Sequence, residues 1–301
     1  MMKFGFVGLG ALGMPIALRI MQMGLPLSVW ARRKEQLAPA IEAGAIESVS
    51  LINIAASCDI ICLCVSDTDA VAEVVFGPRG LADGMKDAGT DKLLVDLSTI
   101  HPQRTREMAK RLRKISGAGW VDAPVSGGPV GARAGTLAVM AGGEVEDLRR
   151  ARGLLSTFAG QITHMGPSGC GQATKACNQM ISASAIAGIA EALSLGSRFG
   201  LDIRLLPEAV RGGWADSALL QHYMPRMASG ELSGSTKTII KDLGIACDLA
   251  KKNSAALPIA EQLLATYRLV LEQGHPDVGI GSLIYALEDV PIANAKQDQK
   301  K

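Results

Sequence analysis

The chain has 301 residues, which at roughly 100–200 residues per domain predicts about two domains and excludes a single small one. Hydrophobic residues make up 48% of the chain and charged residues 20%, a composition that excludes a disordered protein. The net charge of +2 gives no basic excess of the kind that follows a nucleic-acid backbone, so we expect no nucleic-acid partner.

The N-terminal half alternates short apolar runs with amphipathic stretches, which is typical of a parallel sheet covered by helices. The predicted strands are residues 3–8, 27–30, 60–65, 93–97, 120–122, 137–141 and 162–164. The basic stretch 104–114 repeats Met108 and Leu112 at helical spacing, so we interpret it as the solvated face of a helix. This half therefore predicts an α/β domain over residues 1–165.

The second half loses its strand pattern after residue 166. A run rich in Ala, Ser and Gly predicts one long helix over 171–199, and its small residues favour central burial against other helices. Further helices are expected at 203–211, 216–227, 237–253, 257–273 and 280–288. We predict an all-α domain over 166–292, joined to the first by the long central helix, and a polar tail over 293–301.

The apolar stretches and the cysteines indicate the compartment. The first apolar stretch contains glycines and Arg19, unlike a signal peptide, and residues 180–190 are too few to cross a bilayer of roughly 20 helical residues, so we expect no membrane partner. The six cysteines lack the spacing of a secreted disulfide framework, which favours the cytoplasm. Cys62 and Cys64 lie two residues apart, but the four histidines lie far from this pair in sequence, so we expect no metal site.

The turn after the first predicted strand has the pattern of a dinucleotide-binding loop. A glycine-rich turn between a strand and a helix lets the backbone approach a pyrophosphate, and the N–H groups at the helix start face that anion. The residues of this loop are Gly8, Leu9, Gly10, Ala11, Leu12 and Gly13.

The end of the second predicted strand indicates which dinucleotide is preferred. An NAD-specific fold places a carboxylate there, whereas this chain has Ala31, Arg32 and Arg33. A guanidinium pairs with phosphate oxygens in a bidentate manner, so Arg32, helped by Arg33, is expected to bind a 2′-phosphate. The sequence therefore favours NADP(H), with NAD(H) possible, against the alternative that both arginines are surface residues.

Two further motifs follow, Asp122-Ala123-Pro124-Val125-Ser126-Gly127-Gly128 and the stretch 169–179, GCGQATKACNQ. With the glycine-rich turn, Asp96-Leu97-Ser98-Thr99 and Lys241-Asp242-Leu243, they make the chain resemble the β-hydroxyacid dehydrogenases, the family of 3-hydroxyisobutyrate dehydrogenase and tartronate semialdehyde reductase. The motifs occur in the order found in that family, and the likeness runs from residue 4 to about 288.

The resemblance implies roles for particular residues. It implies that Lys175 is the catalytic residue and that Gln179 orients the substrate. It also implies that the substrate carboxylate is held by Ser126, Gly127 and Gly128, and that further cofactor contacts come from Val65, Thr99 and Lys241.

The chemistry of these residue types agrees with those roles. Lys175 and Gln179 lie four residues apart, so a helix places both on one face. A Ser-Gly-Gly loop offers backbone N–H groups to a carboxylate. Reduction of an aldehyde needs a proton at the developing alkoxide, which a lysine ammonium can donate and its amine can take back in the reverse direction. The sequence thus predicts interconversion of a small 3-hydroxy acid and its semialdehyde, with Lys175 as general acid and base.

Some positions depart from the family pattern. Asn178-Gln179 and the stretch 211–217 resemble the tartronate semialdehyde reductase branch, but Gly234 stands where the family commonly has phenylalanine. Trp214 either refills the space left by that ring or is a core residue of its own helix.

Other functions stay open. They include a glyoxylate or succinate semialdehyde reductase of the same family and a non-catalytic dinucleotide-binding module. Relatives without catalytic activity and imine reductases lack the lysine that this chain has, and phosphogluconate-type enzymes have a His-Asn pair after theirs. A small carboxylate is the expected partner, and the small-residue faces of the long helix predict a homodimer or homotetramer.

Overall fold

The computed structural model describes residues 2–86 and 91–287. Contacts between residues divide the chain into two compact units, Met1–Lys175 and Ala176–Lys301. This division passes through a helix, and the predicted limits at 165/166 and 292/293 stay predictions. The predicted polar tail, residues 293–301, lies outside the described residues.

The first unit is built on a mostly parallel sheet. Its strands, within the described residues, are β1 (Phe4–Val7), β2 (Leu27–Trp30), β3 (Ile46–Glu47), β4 (Ile60–Leu63), β5 (Leu93–Asp96), β6 (Gly119–Asp122), β7 (Val125–Ser126), β8 (Leu137–Gly142) and β9 (Ala159–Gly166). Their order is β3-β2-β1-β4-β5-β6-β8-β7, and β9 pairs in parallel with β8. The strands from β1 to β6 are parallel, whereas β8 runs antiparallel to β6 and β7. This confirms the predicted α/β fold, and the order β3-β2-β1-β4-β5-β6 is that of a Rossmann-type domain.

Helices cover both faces of this sheet, which explains its continuous apolar strands. Successive residues of one strand enter different cores: Phe6 and Ile60 pack in one, Val7 and Ile61 in the other. In the basic helix, Met108 and Leu112 are buried, as its spacing predicted. The helices are α1 (Gly13–Gln22), α2 (Ala38–Glu42), α3 (Leu51–Ser57), α4 (Thr68–Phe76), α5 (Leu81–Met85), α6 (Pro102–Ser116), α7 (Gly128–Ala134) and α8 (Val145–Leu155), with a 3-10 turn at Lys34–Leu37.

The second unit is helical over its described residues, apart from one isolated bridge between Gly234 and Val278. It confirms the predicted helical domain with a long helix. Its core packs against one side of the long helix and includes Tyr267, which is fully buried and donates a hydrogen bond to the Ile280 carbonyl at 2.7 Å. The helices are α9 (Cys170–Phe199), α10 (Leu206–Ala209), α11 (Ala218–Ser229), α12 (Thr236–Lys252) and α13 (Pro258–Glu272), with 3-10 segments at Ile203–Leu205 and Gly279–Ala286.

In the single chain, the long helix α9 is buried on one side and exposed on the other, whereas the sequence predicted central burial. Ile186 and Leu193 are buried in the core of the second unit, whereas Ile181, Leu195 and Phe199 are exposed in the single chain. By length and apolar composition alone α9 would also pass for a membrane-crossing helix, a test that the core helix of a soluble protein passes as well.

The other differences from the sequence prediction concern short elements. The strands β3 and β7 have two residues each, too few for any periodicity to show. The helix predicted over 203–211 is a 3-10 turn followed by the four-residue α10, and the last predicted helix is a 3-10 segment. Whether a segment forms an α-helix or a 3-10 helix depends on the hydrogen bonds it makes in the folded chain, which helix propensity does not encode.

Candidate active site

The glycine-rich turn fits closely against the end of the neighbouring strand. Gly8 follows β1 with a φ of +97°, which favours glycine, and its N–H donates to the Trp30 carbonyl at 3.3 Å. A Cβ on Gly8 would overlap the carbonyl oxygen of Cys64, just past the end of β4. Gly8 is therefore required by the packing of the turn against this strand.

The two later glycines of the turn have different surroundings. A Cβ on Gly13 would overlap the Gly8 carbonyl oxygen, whereas a Cβ on Gly10 would meet no protein atom within 4 Å. Gly13 thus lets α1 approach the turn, and Gly10 leaves open space above the backbone. Space at Gly10, beside the first turn of α1, fits the pyrophosphate of a dinucleotide.

The predicted arginines lie two and three residues beyond β2. Arg32 and Arg33 are both exposed, and within the part of the chain that the structure describes neither guanidinium makes a hydrogen bond or an ion pair. The next residue, Lys34, pairs with Glu47 at 3.4 Å. Both guanidinium groups are therefore open to solvent and to a ligand.

The segments after β4 and β5 are joined by hydrogen bonds. The Val65 N–H donates to the Ser98 hydroxyl at 3.0 Å, and the Ser98 N–H donates to the Asp96 carboxylate at 3.0 Å. Thr99, next in the chain, is half-buried. Since Val65 lies beside Gly8, the predicted contacts at Gly8, Val65 and Thr99 lie along one edge of the sheet, at the carboxyl ends of parallel strands.

A single side chain from α9 holds the backbone on both sides of Thr99. The Gln172 carboxamide donates to the Ser98 carbonyl at 2.8 Å and accepts from the Ile100 N–H at 3.0 Å. Gln172 is 1% exposed, and Lys175 follows it by one turn of the same helix and is also buried. The role of Gln172 was missed by sequence reasoning, although the residue lies in one of the motifs that indicated the family.

A buried carboxylate attaches the start of α9 to the sheet. Asp122, the last residue of β6, accepts from the Gly169 N–H at 2.8 Å and from the Gln172 N–H at 3.1 Å. Burial raises the pKa of Asp122, and the backbone N–H donors oppose that rise. A Cβ on Gly142 would lie 2.7 Å from this carboxylate, so a glycine is needed beside it.

The Ser-Gly-Gly motif forms a sharp turn from β7 into α7. Ser126 pairs with Ala138 of β8, which places it in a short strand as well as in the predicted loop. Gly127 and Gly128 have φ values of +124° and +61°, and a Cβ on Gly128 would meet no protein atom within 4 Å. The backbone at Gly128 is therefore open to a ligand, as carboxylate binding by N–H groups requires.

In the second unit, one carboxylate contacts two of the predicted site residues. Gln179 donates to Asp242 at 2.6 Å, and the Lys241 ammonium lies 3.1 Å from the other oxygen of the same carboxylate. The Gln179 carbonyl oxygen accepts from Asn178 at 3.0 Å. Asp242 is 3% exposed, and sequence reasoning assigned it no role although it follows Lys241 in a quoted motif.

Trp214 and Gly234 are the two positions of the second unit whose roles the sequence left open. Trp214 lies outside the helices and is fully exposed in the single chain, so the alternative that it is a core residue of its helix is wrong. Gly234 has a φ of +124°, and a Cβ there would lie 3.2 Å from the Gly279 Cα. The backbone at Gly234 therefore suits glycine, whatever fills the space of the missing ring.

The neighbouring thiols of Cys62 and Cys64 are poor ligands for a metal ion. Burial raises the pKa of the Cys62 thiol and raises that of the Cys64 thiol to about 12, which disfavours the thiolate that metals bind. Within residues 2–86 and 91–287, no group of three or more His, Cys, Asp or Glu side chains is arranged to hold a metal.

Two family models match the chain in succession. Residues 3–166 match the NAD-binding domain of 6-phosphogluconate dehydrogenase, and residues 169–287 match the NAD-binding model of NADP-dependent 3-hydroxyisobutyrate dehydrogenase. Together they span nearly all of the described chain.

Whole-chain comparisons agree with these models. The chain is 33% identical over 293 residues to 2-hydroxy-3-oxopropionate reductase of Escherichia coli, covering 95% of this chain and 97% of that one. It is 32% identical over 290 residues to NAD-dependent L-serine dehydrogenase of Pseudomonas aeruginosa, covering 92% and 95%. A solved 3-hydroxyisobutyrate dehydrogenase of Salmonella typhimurium superimposes with a TM-score of 0.86 at 26% identity, covering 95% and 99%. The chain therefore belongs to the β-hydroxyacid dehydrogenase family and is an NAD(P)-dependent oxidoreductase.

Proposed function

We propose that this enzyme interconverts a small 3-hydroxy acid and its semialdehyde, with Lys175 as general acid and base. The observation that carries the proposal is the position of Lys175. It is a buried lysine one helical turn after Gln172, whose side chain holds the Thr99 segment at the edge of the sheet where the glycine-rich turn lies. A buried cation beside a dinucleotide-binding edge can stabilise and protonate an alkoxide.

In this proposal, the site residues have the following roles. When bound, NADP(H) supplies or accepts the hydride. The Lys175 ammonium donates its proton to the carbonyl oxygen as the alcohol forms, and the amine takes it back in the oxidation. Backbone N–H groups at Ser126, Gly127 and Gly128 bind the substrate carboxylate, and Gln179 orients the substrate. The cofactor would be held by Gly8, Leu9, Gly10, Ala11, Leu12, Gly13, Arg32, Arg33, Val65, Thr99 and Lys241.

The preference for NADP(H) is part of this proposal. It is supported by the two exposed guanidinium groups after β2 and by the absence of a carboxylate at residues 31–33. NAD(H) stays possible, since one of the relatives described above is named as NAD-dependent.

The variant Arg32→Ala tests this preference. We expect it to raise the Kd for NADPH by about 10- to 100-fold, because charge-assisted hydrogen bonds contribute about 1.5–3 kcal/mol each. The Kd for NADH should change less than about threefold, since NADH has no 2′-phosphate. Titration of both cofactors followed by nucleotide fluorescence measures this, with Arg152→Ala, an exposed arginine of α8, as the control. Equal losses for the two cofactors would make Arg32 an ordinary surface residue.

A substrate panel tests the reaction class. Purified enzyme is assayed by nicotinamide absorbance with tartronate, methylmalonate and succinate semialdehydes and glyoxylate as oxidants, and with L-serine and 3-hydroxyisobutyrate as reductants, each with both cofactors. We expect turnover of at least one of these aldehydes with NADPH and oxidation of at least one of the two hydroxy acids with NADP+. Absence of turnover with the whole panel, from enzyme shown to bind NADPH, would contradict the proposed reaction class.

We also propose that the enzyme is a homodimer or homotetramer formed through α9. Its exposed face carries an apolar stripe with alternating spacings of four and three residues, typical of a helix that packs on another. The stripe consists of Ile181, Ala185, Gly188, Ala192, Leu195 and Phe199. Light scattering at micromolar concentration should give at least twice the chain mass, and Leu195→Glu should lower it. Val49→Glu, exposed in the first unit, is the control. A monomeric wild-type enzyme would contradict the proposal.

The proposed compartment is the cytoplasm. All six cysteines are free in the structure, as expected in a reducing environment.

A further inference from the structure

The segment that links β5 to α6 is held by one side chain from a distant part of the sequence. Ser98 and Ile100 flank Thr99, and the Gln172 carboxamide bonds to the carbonyl of the first and the N–H of the second. The partners are 74 and 72 residues apart in the chain, so this contact belongs to the tertiary structure. Only a group that both donates and accepts can satisfy these two backbone atoms at once.

The backbone of Gln172 is itself held in place by a hydrogen bond. The Gln172 N–H donates to the buried Asp122 carboxylate, which also accepts from Gly169. The first turn of α9 is therefore tied to the end of β6 through Asp122 and to the end of β5 through Gln172. Lys175 lies three residues after Gln172, on the same side of the helix. A shift of this turn would move Lys175 relative to Thr99.

We infer that Gln172 is a positioning residue, which sets the placement of Thr99 for the nicotinamide cofactor and of Lys175 for proton transfer by holding both in one hydrogen-bonded unit. The inference rests on the proposed function, in which Thr99 contacts the cofactor and Lys175 transfers the proton. Gln172 itself takes no part in the chemistry. Its effect should therefore appear in the geometry of the site and in kcat rather than in general cofactor affinity.

The variant Gln172→Met keeps the shape of the side chain and removes both hydrogen bonds. In the cofactor-free enzyme, we expect faster amide hydrogen exchange in a peptide covering residues 98–101, because the Ile100 N–H loses its acceptor. Addition of NADPH should slow exchange of this peptide in the wild type and less so in the variant. We expect kcat to fall about 10- to 100-fold, since a displacement of about 1 Å has costs of this size, with the NADPH Kd within about threefold of wild type.

The matched control is Ser116→Ala. The Ser116 hydroxyl is also buried, donates to a backbone carbonyl (Leu112, 3.0 Å) and accepts from a backbone N–H (Ala118, 3.3 Å), but it lies before β6, at the opposite edge of the sheet. This variant should lower thermal stability as Gln172→Met does, and leave kcat and the exchange of residues 98–101 unchanged. If the role of Gln172 were purely structural, Gln172→Met would resemble Ser116→Ala in kcat as well as in thermal stability.

The variant Gln172→Glu gives a pH signature. A protonated glutamic acid can donate to the Ser98 carbonyl and accept from the Ile100 N–H, as glutamine does, whereas the carboxylate would repel that carbonyl. The ratio of variant to wild-type kcat should therefore rise roughly tenfold as the pH falls from about 9 to about 6, since burial favours the protonated acid. This variant also replaces Gln172→Met if the latter fails to fold.

The outcomes separate this inference from the proposed function. A folded Gln172→Met enzyme with wild-type kcat, or a flat pH ratio for Gln172→Glu, overturns the positioning role while an active wild type leaves the function standing. A wild type that turns over no substrate overturns the function, and the exchange measurements still decide the inference. If NADPH then protects residues 98–101 equally in the wild type and in Gln172→Met, Gln172 does not position Thr99.

Discussion

The substitution Lys175→Ala is expected to lower kcat about 10²- to 10⁴-fold, the usual contribution of a positioned acid or base, while NADPH still binds. The lysine is buried in the first turns of α9, where no other proton donor is proposed. Without it, the oxygen of the substrate would have to take its proton from water. In the proposed site, the affinity for NADPH depends on the glycine-rich turn and on Arg32, which this change leaves in place.

A second variant separates charge from proton transfer. Lys175→Arg keeps a cation at this position, but a guanidinium does not give up its proton near neutral pH, so kcat should stay low. The control is Lys110→Ala, which removes an exposed lysine from α6. Steady-state kcat and the NADPH Kd are measured for all three variants. Wild-type turnover in Lys175→Ala would remove Lys175 from the mechanism.

The pair Gly10→Ala and Gly13→Ala is expected to separate cofactor binding from folding. A Cβ on Gly10 would meet no protein atom within 4 Å, so a methyl group there should leave the melting temperature nearly unchanged and obstruct the pyrophosphate. Loss of charge-assisted hydrogen bonds would raise the NADPH Kd about 10- to 100-fold. A methyl group on Gly13 would overlap the Gly8 carbonyl, and overpacking of this kind lowers the free energy of unfolding by about 1–3 kcal/mol.

Thermal unfolding and NADPH titration of both variants check this pair. Gly153→Ala is the control, because Gly153 also has open space at its Cβ and lies in α8, away from the glycine-rich turn. It should change neither the NADPH affinity nor the cooperativity of unfolding. A Gly10→Ala enzyme that binds NADPH as tightly as the wild type would show that the open space is not the pyrophosphate site.

The sequence predicted the fold class because the signals for it are local. Apolar runs such as those of β4 and β5 are buried on both faces of a sheet, and a glycine-rich turn between a strand and a helix has few other uses. The long helix α9 was predicted to within one residue at its start, because its small and apolar residues continue without a break. The two-residue strands β3 and β7 were missed, because they carry no periodicity.

The candidate site was predicted residue by residue, but its connections were not. The sequence by itself determined which residue types stand at the ends of the strands and on α9, since each of these belongs to a contiguous motif. Only the tertiary structure decided that Gln172 holds the Thr99 segment, that Asp122 attaches α9 to the sheet and that Asp242 joins Gln179 to Lys241. The hydrogen bonds that Gln172, Asp122 and Gln179 make here join residues 47 to 74 positions apart, and hydrogen bonding between buried groups depends on distances that no local pattern encodes.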